Sequence, residues 1–97
     1  MEGEEMPKST WKPHGYATQG RLSTTEKDSL PTTAFAFPRT RKEPMTDATH
    51  VRDAMARFNR VQDVTDPERD LAFANIQKAA SYFHIRMKET DWHQFGA

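Results

Sequence analysis

The chain has 97 residues, with 14 basic and 14 acidic side chains and no cysteine. A net charge of zero gives no overall field that would attract nucleic acid or an anionic membrane. The missing thiols exclude disulfides and thiolate zinc sites. No apolar run approaches the roughly 18 residues that a bilayer-spanning helix needs. These features predict a cytoplasmic protein with one small domain and no membrane association.

The first part of the chain, residues 1–21, mixes Gly, Pro, Glu, Lys and Thr without an apolar period. Such a segment buries too little surface to offset the entropy that ordering removes, so we predict a disordered tail. Trp11 and Tyr16 are the exceptions, and whether they dock on the domain is left open. A single small helical domain is then expected over residues 22–97.

The domain is expected to begin with a short helical turn over residues 22–30. Ser23 and Glu26 have the spacing of a capping box, in which side chain and backbone satisfy each other at a helix start. Pro31 would end the turn, because the residue before a proline disfavours the helical conformation.

Residues 31–44 predict an extended arm instead of a helix. Small and aromatic residues alternate in Ala-Phe-Ala-Phe, with Pro31 and Pro38 on either side. Phe35 and Phe37 would point to one face of the arm and pack on the helices as part of the core. A minimal β-bridge between the arm and residues 85–87 is a further alternative.

The apolar spacing predicts a first long helix over residues 47–61. Thr46 or Asp47 supplies the N-cap, since both side chains can accept a hydrogen bond from the first helical turn. Val51, Met55 and Phe58 follow at steps of three and four and would form one buried stripe.

A second helix over residues 66–83 begins with the strongest local signal in the chain. Thr65 and Glu68 form a predicted capping box, and Pro67 falls in the first turn, where a missing N–H costs little. A short third helix is expected over residues 89–95. The predicted fold is therefore mainly α, with two packed amphipathic helices, a short C-terminal helix and the arm as a strap.

Residues 30–58 read LPxxAFAFPxxRKxPxxDAxHVRxAxARF. The motif continues at Thr65-Asp66, Glu68-Arg69-Asp70, Ala72 and Trp92. This pattern resembles a small uncharacterised family of bacterial and phage-associated proteins, a domain of unknown function, over about residues 22–97. The resemblance implies a shared fold and a link to phage or mobile elements, and it provides no catalytic residue, cofactor or partner. It also implies a glycine after the second helix, where this chain has His84, which weakens the expectation of a left-handed cap.

Known catalytic and metal motifs are missing from the sequence. The four histidines form no HExxH motif or i,i+4 pair, and the serines lie in no nucleophile elbow. The four glycines form neither a P-loop nor a dinucleotide fingerprint. We therefore predict a protein without enzyme activity, metal or cofactor.

Six basic residues form the candidate interaction face: Arg39, Arg41, Lys42, Arg52, Arg57 and Arg60. The leading hypothesis is a small non-catalytic interaction protein with an unidentified protein partner. The alternative is a weak nucleic-acid-binding accessory protein that uses Arg39, Arg41 and Lys42 next to the aromatic arm. A solvated surface with internal ion pairs is the simplest interpretation of the same residues.

Overall fold

The computed structural model describes residues 7–13 and 23–95. Within these ranges the chain forms three α-helices and a two-stranded sheet: α1 Thr24–Ser29, β1 Phe35–Phe37, β2 Lys42–Pro44, α2 Ala48–Arg57 and α3 Asp66–Tyr82. Single 3-10 turns lie at Thr32–Ala34, Phe58–Arg60 and Trp92–Gln94. Helices dominate, as predicted, and the sheet is an addition to the predicted fold.

The short helix α1 begins with the predicted capping box. The Ser23 hydroxyl accepts the N–H of Glu26 at 3.1 Å, and the Glu26 carboxylate accepts the N–H of Ser23 at 2.9 Å. Because both donors would otherwise lack a partner inside the helix, the box fixes where α1 starts.

The prediction of a single extended arm over residues 31–44 is corrected: residues 35–44 form a β-hairpin. Strand β1 pairs antiparallel with β2, so that Phe35 lies opposite Pro44 and Phe37 lies opposite Lys42. Among the described residues, the sheet therefore pairs within residues 35–44 and does not use the expected bridge to residues 85–87. The arm can reverse because Arg41 adopts a φ of 53°, a left-handed conformation that sequence propensity assigns mainly to glycine.

Both phenylalanines of the hairpin are buried, as predicted, but they enter two different clusters. Phe37 belongs to the main core, where its ring centroid lies 5.4 Å from that of Phe58. Phe35 forms a smaller cluster with Leu30 and Ala34. The hairpin is therefore part of the core, and it does not merely cover the surface of the helices.

Helix α2 is shorter than the predicted helix over residues 47–61. Asp47 is the N-cap, and its carboxylate accepts the N–H of His50 at 2.8 Å. The α-helix ends at Arg57 and continues as the 3-10 turn Phe58–Arg60. This tighter turn still carries Phe58 into the core, where the side chain is fully buried.

Helix α3 begins with the predicted capping box of Thr65 and Glu68. Its C-terminus is closed by His84, whose φ is 61°. The N–H of Ile85 donates to the Ala80 carbonyl at 2.7 Å, and the N–H of His84 donates to the Ser81 carbonyl at 3.3 Å. These two bonds define a Schellman motif, so the left-handed cap forms with histidine where glycine was expected.

The predicted third helix over residues 89–95 is only the 3-10 turn Trp92–Gln94. Asp91 caps this turn by accepting the N–H of His93 at 2.7 Å. Phe95 is buried against Phe58 and Phe73. The segment is too short for α-helical hydrogen bonds to offset the entropy of nucleation.

Candidate interaction surfaces

Residues 7–13, here called the N-terminal segment, lie against α3 and β1. The buried side chain of Asn75 accepts the N–H of Thr10 at 2.8 Å and the N–H of Trp11 at 3.1 Å. It also accepts the Ser9 hydroxyl at 2.6 Å and donates to the Ala36 carbonyl at 2.9 Å. One side-chain amide therefore joins the segment, the helix and the hairpin.

Trp11 anchors this segment in the core. Its side chain is 1% exposed, and its indole N–H donates to the Met45 carbonyl at 3.1 Å. The indole ring contacts Tyr82 and Phe83 edge to face, with centroids 5.7 Å and 5.9 Å away. The prediction of a disordered tail over residues 1–21 is therefore corrected for residues 7–13, while residues 1–6 and 14–21 lie outside the described residues.

Two residues of the predicted basic face make hydrogen bonds within the fold. Arg39 pairs with the Glu68 carboxylate and donates to the Asp63 carbonyl at 2.7 Å. Arg41 donates to the Leu30 carbonyl at 2.8 Å, and its guanidinium lies 4.6 Å from the Phe35 ring centroid. Arg39 is paired with a carboxylate and Arg41 donates to backbone carbonyls, so fewer of their N–H groups are left for a phosphate ligand.

Three other residues of that face, Lys42, Arg57 and Arg60, line a shallow depression together with Glu43 and Val61. The sixth residue, Arg52, is exposed on α2. It precedes Arg57 by five positions, which places it roughly 140° away around the helix axis. The six residues therefore do not form one surface. Arg39 and Arg41 bond within the fold, three residues line the depression, and Arg52 lies apart from them.

Glu43 gives the depression an unusual carboxylate. Partial burial raises its pKa above the ordinary value, while the nearby charge of Arg57 acts in the opposite direction. Its φ of 59° is the second left-handed conformation in the hairpin. The depression therefore has mixed charge, and its volume of about 180 Å³ lies below the roughly 300 Å³ at which ligand pockets usually begin.

A different surface combines basic and aromatic residues. Residues 7–13 and 74–88 contain no Asp or Glu, and they carry five exposed basic side chains: Lys8, Lys12, Lys78, Arg86 and Lys88. We call these residues, together with Tyr82, the α3 basic face. Lys78 and Tyr82 are four positions apart and therefore lie on the same side of the helix. The N-terminal segment borders this side, because Trp11 contacts Tyr82.

Tyr82 is the one large hydrophobic residue that is strongly exposed among the described residues, at 56%. Its ring rests on Trp11 and on Phe83, which lies 5.0 Å away. A ring that is supported from below and open above loses little conformational entropy when a partner covers it. This face is not apparent in the sequence, because Lys8 and Lys12 come near α3 only when Trp11 docks.

The opposite end of α3 is acidic. Asp63, Asp66, Glu68 and Asp70 lie around the start of the helix. The Trp92 indole N–H donates to Asp70 at 2.8 Å, which brings the C-terminal turn to this end. Residues 66–73 of α3 carry three carboxylates and one arginine, whereas residues 74–82 carry one lysine, so opposite charges lie towards the two ends of α3.

The histidines in the described residues are dispersed. The Nδ1 atom of His50 lies 2.8 Å from the Asp47 carboxylate. His93 pairs with Asp91 at 3.2 Å and stacks on Trp92. Over residues 7–13 and 23–95, no group of three potential ligands is placed to hold a metal ion.

The described helices also bear on membrane association. None of them combines the length and apolar character that would carry it across a bilayer. The longest, α3, has 17 residues and carries charged side chains along its exposed face.

A family model described as a family of unknown function (DUF6582) matches residues 23–90. The chain belongs to this family. The match includes the hairpin, α2 and α3, and it confirms the resemblance to a family of unknown function; the bacterial and phage link stays a prediction. The N-terminal segment precedes the matched DUF6582 region, whereas its partners Asn75, Ala36 and Met45 lie within it. No curated protein and no solved structure shows a significant match to the chain.

Proposed function

We propose that this DUF6582 protein is a non-catalytic interaction protein that binds an acidic segment of a partner protein through the α3 basic face. The observation that carries the proposal is that residues 7–13 and 74–88 carry five exposed cations and no carboxylate, and that these two stretches meet where Trp11 contacts Tyr82. Positive surfaces attract acidic partners at long range and orient them before contact.

Charge alone would give a weak complex, because one exposed ion pair contributes only about 0.2–1 kcal/mol. Tyr82 supplies the other part of the interaction. Tyrosine is frequent among the residues that dominate binding energy at interfaces. The expected partner therefore carries several Asp or Glu residues and an apolar side chain that covers the Tyr82 ring.

Nucleic acid is the second candidate partner. Of Arg39, Arg41 and Lys42, the first two are engaged by Glu68 and by carbonyl groups. A nucleic-acid role would now need the α3 basic face or the mixed depression at Lys42. We favour protein over nucleic acid because a short acidic segment can stay at the C-terminal end of α3, whereas a longer run of phosphates would extend to the acidic start of the same helix.

The proposal extends to the cellular setting. We place the protein in the bacterial cytoplasm and link it to phage or mobile elements, as the family resemblance suggested. Genes for related proteins should then lie beside phage or mobile-element genes. Neighbourhoods dominated by housekeeping genes would contradict this part of the proposal.

The experiment is a fluorescence-anisotropy titration of the full chain with a Glu-rich peptide that contains one central leucine. Saturable binding is expected, and it should weaken with salt because exposed charges are screened. Lys78→Glu should weaken binding by roughly tenfold, which corresponds to about 1.4 kcal/mol.

Arg52→Glu is the matched control, since it makes the same charge change on an exposed helical surface outside the α3 basic face. Equal losses for Lys78→Glu and Arg52→Glu would reduce the interaction to net charge and contradict the proposed face. Tighter binding of single-stranded or duplex DNA than of the peptide, at the same salt concentration, would favour the nucleic-acid alternative.

A further inference from the structure

The groove that holds the N-terminal segment has the properties of a peptide-recognition site. Asn75 accepts backbone N–H groups from two consecutive residues, Thr10 and Trp11. The backbone N–H of Lys12 donates to the Thr33 carbonyl at 3.0 Å, which adds a contact on the hairpin side. Backbone hydrogen bonds combined with a pocket for one side chain are a common way to bind an extended peptide.

The side-chain pocket of this groove is specific for an indole. Trp11 is almost fully buried, and its N–H reaches the Met45 carbonyl. A phenylalanine in the same place would leave that buried carbonyl without this donor, and a buried polar group without a partner costs about 1–3 kcal/mol. The recognised unit is therefore a small-polar pair followed by tryptophan, here Ser9-Thr10-Trp11.

The groove and its occupant belong to different parts of the chain. Asn75, Thr33, Ala36 and Met45 lie within the family-matched residues 23–90, whereas residues 9–12 precede them. Residues 14–22 connect the two. The hydrogen bonds described in the groove join residues 9–12 to the domain, so a segment from another molecule could form the same set.

We propose that this groove also accepts the N-terminal segment of a second copy of the chain, giving dimers by segment exchange. The second copy is the chosen occupant because its residues 9–12 are the sequence already seen to fit the groove. Exchange of an identical element is a low-cost route to a dimer, since the contacts made are the ones lost.

The chain's own N-terminal segment competes with the segment of a second chain for the same groove. A short covalent connection gives an effective concentration of about millimolar, so a dilute wild-type chain fills its own groove. Exchange becomes visible when that internal pairing is removed in both molecules. Two variants do this in complementary ways: Trp11→Ala removes the anchor and keeps the groove, and Asn75→Ala damages the groove and keeps the segment.

The test mixes full-length Trp11→Ala and Asn75→Ala chains and measures the mass of the species by sedimentation velocity. A species of twice the chain mass is expected in the mixture at concentrations where each variant alone is a monomer. A mixture that sediments as two folded monomers overturns the proposal.

A second measurement keeps the test decisive if Trp11→Ala fails to fold. A synthetic peptide of residues 7–13 is then added to that variant, and helical content is followed by circular dichroism. Restored helix, absent with a peptide whose tryptophan is replaced by alanine, supports binding between molecules. Failure of the wild-type peptide to restore helix overturns it. None of these outcomes involves acidic peptides, so the result is independent of the function proposed above.

Discussion

The side-chain oxygen of Asn75 accepts the backbone N–H of Trp11 at 3.1 Å, across 64 positions of sequence. This bond joins the first described segment of the chain to the middle of its longest helix. Because the same amide also donates to Ala36 in β1, three parts of the fold depend on one side chain. Removing a polar residue from the centre of a core is expected to lower stability, since its hydrogen-bonding partners stay buried.

We expect Asn75→Ala to destabilise the protein by about 2–4 kcal/mol. The substitution leaves the N–H of Trp11 and the Ala36 carbonyl without this partner, and each such loss costs about 1–3 kcal/mol. Urea denaturation followed by circular dichroism measures the effect. Gln77→Ala, on the exposed side of the same helix, is the control and should change stability by less than about 0.5 kcal/mol. Comparable values for the two variants would show that the network contributes little.

The left-handed conformation of His84 predicts a stabilising substitution. A residue with a Cβ atom is disfavoured by about 1–2 kcal/mol in this region, whereas glycine adopts it readily. Part of this gain is lost because glycine is more flexible in the unfolded chain, so His84→Gly should stabilise by about 0.5–1 kcal/mol. His84→Ala retains the Cβ atom and serves as the control. A melting temperature for His84→Gly at or below that of His84→Ala would contradict the cap.

The pair formed by Arg39 and Glu68 predicts a loss of stability in acid. Hydrogen bonds from Arg39 and then from the Thr65 N–H lower the pKa of Glu68 from 4.5 to about 2. A lowered pKa in the folded state means that the unfolded chain takes up the proton first as the pH falls. The contribution of Glu68 is therefore present above pH 4.5 and is lost as the pH falls towards 2. Arg39→Ala should flatten stability across this window, and an unchanged pH profile would contradict the coupling.

Glu43 predicts the opposite dependence on pH. Burial raises its pKa, so the folded state holds the proton more tightly than the unfolded chain does. The favourable contribution of its protonated form is present below the ordinary pKa and disappears as the pH rises through the raised value. Glu43→Gln mimics the protonated form and should stabilise the protein at neutral pH. The stability difference between Glu43→Gln and wild type should favour the variant more at pH 7 than at pH 4. The reverse order would show that the charge of Arg57 outweighs burial.

Local signals in the sequence predicted the starts of the helices. The Ser23–Glu26 and Thr65–Glu68 capping boxes are where they were expected, because a capping box involves residues only three positions apart. The burial of Phe35 and Phe37 also followed from their alternation with alanine. These features depend on short-range geometry, which a sequence contains directly.

The hairpin and the docked N-terminal segment could not be predicted in the same way. The reversal of the hairpin uses Arg41 at positive φ, and Glu43 within β2 also has a positive φ; neither residue type signals that conformation. Trp11 stands alone in a polar segment, and its partner Asn75 differs from the apolar residues beside it. One available hint was Asn75 itself, a polar residue next to Ile76 on an otherwise apolar stretch, which needed a hydrogen-bonding partner from elsewhere.

The basic surface shows how far the site was predictable. Counting nearby cations selected Arg39 and Arg41, although ion pairs and carbonyls already engage them. The α3 basic face combines Lys12 with Lys78 and Arg86, which are distant in sequence. Such a face exists only after the segment docks, so no local window of sequence contains it.

The most direct test of the proposed interaction is a map of amide chemical-shift changes in the labelled full chain during titration with the Glu-rich peptide. Saturating changes confined to the region of Lys78, Tyr82 and Arg86, with none around Arg52 or Arg60, are the predicted result. Changes centred instead on Lys42, Arg57 and Arg60, or an unchanged spectrum at saturating peptide, would contradict binding by the α3 basic face.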